Sequence, residues 1–180
     1  MRRRSRGSGG EGRSGPPEDG GAPAPVGDPY TIGLILLGRR ELSEAQLRTR
    51  LARRGFAPGQ IDEAIGRLRQ DRTLDDQRVA RAAARLETIV RLRGRRRTLQ
   101  KIRALGIADE DARAAVDAVF EDVDEEALLD QALARRLRGA SPGALDQAGV
   151  RRVVSGLVRQ GFPVGAVLAR LRRKGAPDVE

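Results

Sequence analysis

Three segments of the chain repeat one short pattern, and that repetition limits the fold more than any other feature. Leu51-x3-Gly55-Phe56, Ile102-x3-Gly106-Ile107 and Leu157-x3-Gly161-Phe162 each place an apolar residue four before a glycine and another just after it. Six and ten residues beyond the glycines the match continues, with Ile61 and Ile65, then Ala112 and Val116, then Val167 and Leu171. Self-similarity at a spacing of about 50 residues marks tandem copies of one supersecondary unit, in which each copy covers a hydrophobic face of its neighbour.

The unit is helical, because apolar residues recur at helical spacing and no segment alternates with period two. Asp28 followed by Pro29 predicts an N-cap with proline at the first helical position, and Gly38 is expected to end that helix. Ser43-x-x-Gln46 is a capping box, opening a helix that carries Leu47 and Leu51 on one face. Pro58 starts a third helix with Ile61, Ile65 and Leu68 inward. The second unit runs through helices over 75–93, 95–105 and 109–120, with Val79, Ala83, Leu86, Val90, Leu99, Ile102, Val116 and Val119 inside. The third occupies 124–138, 145–160 and 163–174. Each of Gly55, Gly106 and Gly161 falls between the second and third helix of its triplet. There a left-handed residue stops the helix at little cost for glycine.

The expected architecture is therefore all-α: three tandem three-helix repeats forming an elongated, curved array behind a disordered N-terminal tail. Residues 1–27, rich in Gly, Pro, Ser and Arg without apolar periodicity, form the tail. Repeats follow over 28–72, 73–121 and 122–175, and residues 176–180 are expected to be disordered.

Composition narrows the chemistry. The chain has neither cysteine nor histidine, which removes disulfides, thiolate nucleophiles and the commonest general base and transition-metal ligand. No catalytic residue, metal site or cofactor is expected, and the cysteine count fits the cytoplasm. Asp75, Asp76, Asp109, Asp111, Asp124, Glu125 and Glu126 fall mostly at predicted helix starts, where the helix dipole favours negative charge. The strongest apolar run, Ile32 to Leu37, is too short to span a bilayer.

The net charge of +10 favours an anionic partner. Because residues 1–28 hold five arginines and four acids, that charge belongs to the remainder of the chain. Arg91, Arg93, Arg95, Arg96, Arg97, Lys101 and Arg103 occupy 91–103 without an acid. Arg151, Arg152, Arg159, Arg170, Arg172, Arg173 and Lys174 occupy 148–174, again without one. Between these blocks, 106–147 holds eleven acids against four arginines, a local charge of −7. Arg91, Arg93, Arg95, Arg96, Arg97, Lys101, Arg151, Arg152, Arg170, Arg172, Arg173 and Lys174 are the candidates for contact with a protein partner or phosphates, since guanidinium groups bind both anions bidentately. The competing reading of the same residues is a solvated surface. With Tyr30, Phe56, Phe120 and Phe162 the only aromatics, base stacking is poorly supplied. Contact with DNA would be electrostatic, sequence-blind and weak.

Between Glu41 and Ala80 the ordered combination of Ser43, Leu47, Leu51, Gly55-Phe56, the Ile61, Ile65 and Leu68 stripe, and Leu74-Asp75-Asp76 before Val79-Ala80 resembles the RecX family of regulators of the RecA recombinase. Gly94 leading to Leu99, Ile102 and Gly106-Ile107 continues the likeness, as does Gly161-Phe162. It covers nearly everything after the tail. The resemblance implies tandem three-helix repeats without enzymatic chemistry, and the chain is expected to be a monomer. It also implies a protein lodged in the groove of the RecA filament on single-stranded DNA, limiting extension, ATP turnover and strand exchange. The second repeat departs from the pattern with Ile107 in place of the aromatic and Ala112 in place of a larger residue. A general DNA-binding helical protein and an interaction scaffold without a nucleic-acid role are the alternatives.

Overall fold

Asp28, Ser43, Asp75, Asp124 and Asp146 each lead a helix and accept a hydrogen bond from a backbone N–H of its first turn. These caps fix where the helices of the computed structural model begin. The structure describes residues 27–177, so the tail expected over residues 1–27, but for Gly27, and residues 178–180 lie outside the described residues. The helices are α1 (Pro29–Arg39), α2 (Glu44–Ala52), α3 (Pro58–Gln70), α4 (Asp76–Arg85), α5 (Arg95–Arg103), α6 (Asp109–Glu121), α7 (Glu125–Leu137), α8 (Gln147–Arg159) and α9 (Val164–Arg173). A π-helical turn, Leu86–Val90, extends α4, and a 3-10 turn, Pro142–Ala144, precedes α8. No strand occurs among the described residues.

The Ser43 capping box forms in full, with Gln46 N–H donating to Ser43 Oγ at 3.2 Å and Ser43 N–H to Gln46 Oε1 at 3.3 Å. The expected stop at Gly38 does not occur. The helix runs through it to Arg39, and the chain leaves at Arg40 in an extended conformation. Gly38 has open space around it and an ordinary φ, so nothing there demands a break. Gly55, Gly106 and Gly161, by contrast, have φ of +88°, +79° and +98°, the left-handed region where a Cβ is costly.

Two apolar clusters hold the helices. Leu36, Leu42, Leu47, Leu51, Phe56, Ile61, Ile65, Leu68 and Leu74 form the first, confined to α1 to α3 and their flanks. The second is continuous from Val79 to Leu171 and draws on all six remaining helices. The second and third triplets therefore share one core. Within the third triplet, α7 and α9 are tied by ion pairs: Arg170 to Asp130 at 2.6 Å, and Lys174 to Asp130 at 3.3 Å.

The π-helical turn corrects one part of the expected interior. Leu86 and Val90 are 44% and 62% exposed, while Glu87 and Thr88 are buried. Arg91 N–H donates to Leu86 C=O, five residues back. The wider turn advances the helical phase by one residue, which brings Glu87 and Thr88 inward.

Candidate functional site

The phase shift sets up a cleft where the second triplet meets the third. After the π-helical turn, Leu92 takes a left-handed φ of +53°. Arg91 and Arg93 then flank Glu87 from two sides. Their guanidinium groups lie 2.6 Å and 2.5 Å from its carboxylate oxygens. Burying a carboxylate is costly unless it is paired, so the 5% exposed Glu87 holds both arginines close to itself. Their outer faces line a cleft of 730 Å³.

The opposite wall comes from the C-terminal end of α7 and from α8. α7 supplies Arg135 and Arg136, the left-handed residue that follows it is Arg138, and α8 supplies Arg152. Basic residues suit the last turn of a helix, where the dipole is negative. Arg136 lies flat across α8 because position 156 is glycine, and a Cβ there would overlap its guanidinium. Arg135 reaches over to donate to Val90 C=O at 3.2 Å, tying α7 to the π-helical turn. Six arginines thus face one cavity, and no acidic residue lines it.

The candidates proposed from sequence separate into three groups. Arg91, Arg93 and Arg152 line the cleft. Arg95, Arg170, Arg173 and Lys174 are engaged within the fold. Arg95 pairs with Asp117, reaches Glu125 at 3.8 Å and stacks over Phe120 with 4.8 Å to the ring centre. Arg170, Arg173 and Lys174 meet Glu126 and Asp130 of α7. Arg96, Arg97, Lys101, Arg151 and Arg172 make no ion pair among the described residues. Of these, Arg97 donates to Gln100 Oε1 at 2.6 Å.

Sequence reasoning missed Arg135, Arg136, Arg138 and Glu87. The three arginines stand inside a stretch whose summed charge is negative, and Glu87 falls off the apolar stripe that regular helical spacing turns inward. The available signal was local: Arg135-Arg136-x-Arg138 closes α7 without an acid nearby.

The acids serve the helices. Asp75 caps Arg78 N–H and Asp124 caps Glu126 and Ala127 N–H. Asp76 accepts from Glu44 N–H of the preceding triplet at 2.8 Å, and its burial pushes its carboxyl up from the usual range. Asp109 is held below that range by its hydrogen bond from Arg103. Among the described residues no group of three or more acids could hold a metal, and no helix is long and apolar enough to cross a membrane.

What the cleft offers is a set of charged donors converging from two walls, an arrangement for capturing anions. The aromatic rings take no part in it. Phe56, Phe120 and Phe162 are buried in the two cores, and Tyr30 donates its hydroxyl to Asp71 beneath the Arg67 guanidinium.

Comparison with known proteins bears on the whole array. A family profile described as "RecX, first three-helix domain" matches residues 30–68, which are α1 to the end of the α3 apolar stripe. A regulatory protein RecX from Syntrophotalea carbinolica is 34% identical over 139 residues, covering 77% of this chain and 91% of the relative. One from Thermobifida fusca is 33% identical over 168 residues, covering 91% and 88%. Among solved structures, RecX from Lactobacillus salivarius superposes with a TM-score of 0.63 at 17% identity, covering 82% of this chain and 94% of that one. A second crystal structure, of regulatory protein RecX, gives 0.67 at 20%, covering 81% and 70%. These two likenesses concern the fold.

Proposed function

Because this chain belongs to the RecX family of regulatory proteins, we propose that it regulates the RecA recombinase by binding the RecA filament on single-stranded DNA. Bound in the filament groove, it limits extension, ATP turnover and strand exchange, acting as an inhibitor. It does so as a cytoplasmic monomer, without chemistry of its own, and bare DNA is a weak electrostatic partner.

The observation that carries this reading is the sorting of basic side chains. Four of the twelve sequence candidates, Arg95, Arg170, Arg173 and Lys174, are consumed by internal ion pairs or stacking. On an all-helical frame the remainder, with the cleft arginines, carry charge that the buried Glu87 alone offsets, at Arg91 and Arg93. Such a frame supplies long-range attraction to an anionic assembly and leaves little beyond electrostatics for naked DNA, since its phenylalanines are buried. Affinity for a recombinase-coated strand should therefore exceed affinity for the bare strand at moderate salt.

The test is the single-stranded-DNA-dependent ATPase rate of RecA from the same source, titrated with this protein. Inhibition well below one molecule per recombinase subunit, undiminished by excess bare DNA, supports filament control. No effect, or inhibition relieved by excess DNA, favours a general DNA-binding protein instead.

A further inference from the structure

We propose that the cleft between the second and third helical triplets is a binding site for a run of consecutive phosphate groups, with Glu87 as the residue that positions two of its arginines. Arg91 and Arg93 on one wall face Arg135, Arg136, Arg138 and Arg152 on the other.

Three properties select phosphate. The lining charge is high and one-signed, and a single carboxylate leaves most of it unbalanced. Phosphates in a chain carry oxygens on every side, so one short ligand meets guanidinium groups on both walls at once. An acidic peptide would bring a series of backbone N–H groups that need acceptors, and Gln160 supplies the single side-chain acceptor among the lining residues. The volume of 730 Å³ is also that of a small-ligand site, about 300–1,000 Å³. With no aromatic residue in the lining, recognition ends at the phosphates.

The walls are prepared in advance. Glu87 is buried and holds Arg91 and Arg93 by its two oxygens. Gly156 gives the Arg136 guanidinium the space to lie along α8, where it reaches Arg152 C=O at 3.5 Å. Like charges gathered in this way repel one another until an anion enters, so occupancy should stabilise the whole protein. Two sources offer the chemistry, a free oligophosphate and the phosphodiester backbone of a single strand.

The experiment is calorimetric titration and thermal unfolding of the full chain with sodium tripolyphosphate, with an eight-residue oligothymidylate and with hexaglutamate. The expected result is saturable phosphate binding that raises Tm by about 5–10 °C at a hundredfold excess over Kd. Binding of tripolyphosphate assigns a free oligophosphate. Binding of oligothymidylate alone assigns the backbone of a strand, and both results support the site. Arg136→Gln with Arg152→Gln should weaken binding about a hundredfold, while Arg54→Gln with Arg159→Gln should leave it unchanged. Glu87→Gln should weaken binding and flatten its salt dependence, and Glu87→Asp should restore part of the slope. A merely structural Glu87 would lower Tm and leave that slope alone. The proposal is overturned if neither phosphate ligand binds, if hexaglutamate binds as tightly, or if the Arg136 and Arg152 variants retain affinity. No recombinase is present in these titrations, so their failure would leave the filament reading standing.

Discussion

Where the first triplet meets the second, Leu74 reaches into the first core, and polar contacts do much of the joining. Ser43 Oγ donates to Leu105 C=O at 2.5 Å, Glu44 N–H donates to Asp76 at 2.8 Å, and Arg78 pairs with Glu41 at 2.8 Å. Where the second meets the third, backbone lies on backbone. Gly94 N–H donates to Gln160 C=O at 3.0 Å, and a Cβ on Gly94 would fall 2.5 Å from Gly161 C=O. Both junctions follow one plan, in which the start of a second helix docks on the glycine turn of the next triplet. Only the second is backed by a shared apolar core. Hydrogen bonds contribute about 1 kcal/mol each, whereas a continuous core gains from every buried methylene. The first triplet should therefore open by itself, while the other two unfold as one body.

The strongest way to break this contrast is to empty one core. Leu157→Ala should cost about 2–5 kcal/mol and accelerate amide exchange through both α4 to α6 and α7 to α9. Leu47→Ala, of similar size, should accelerate exchange in α1 to α3 alone. If either variant loosened all nine helices equally, the division would be wrong. Next comes the backbone junction: Gly94→Ala should cost about 1–3 kcal/mol and split the second cooperative unit in denaturant unfolding. Gly106→Ala overlaps the Ala45 methyl, so Ala45→Gly should recover part of its loss. No side-chain change can relieve Gly94 in the same way.

The polar junction gives smaller effects. Ser43→Ala removes a cap and leaves Leu105 C=O without its donor, at a cost of about 1–2 kcal/mol, visible in the exchange of α2 before that of α5. Asp76→Asn should be the mildest, within about 0.5 kcal/mol of the parent at neutral pH. The amide keeps an acceptor for Glu44 N–H. Burial raises the Asp76 carboxyl in the folded state, so the parent carries a penalty above that raised value. The penalty is relieved as pH falls through the carboxylate range. The variant's advantage should therefore shrink on acidification, which paired melting curves would follow.

Much of the fold could be read from residues whose message is local. Asp28 with Pro29, Ser43 with Gln46, and the apolar stripe of α3 each report on a few neighbouring positions, and the helices begin where those residues place them. The π-helical turn escaped because nothing in Leu86–Val90 distinguishes five-residue from four-residue hydrogen bonding. Periodic extrapolation then pointed Leu86 and Val90 inward. The cleft escaped for a different reason. Its walls stand more than 40 residues apart in sequence, from Arg91 to Arg135, and a sum of charge along the chain dissolves Arg135, Arg136 and Arg138 among acids. The blocks at 91–103 and 148–174 also overstated the free charge, because α6 and α7 supply acids to Arg95, Arg170 and Lys174 across the fold.

The docking plan has a direction. A triplet presents the start of its second helix forward and offers its glycine turn backward, so neighbours fit in one order only. At the third triplet the lead-in to α8 meets a different occupant. Gly143 there faces Gly175 C=O, where an added Cβ would sit 3.1 Å away, so the turn that closes α9 packs against the lead-in to α8. The lead-in to α8 is thus closed by its own triplet, as a hook closes on its own eye, where the two earlier lead-ins close on a neighbour.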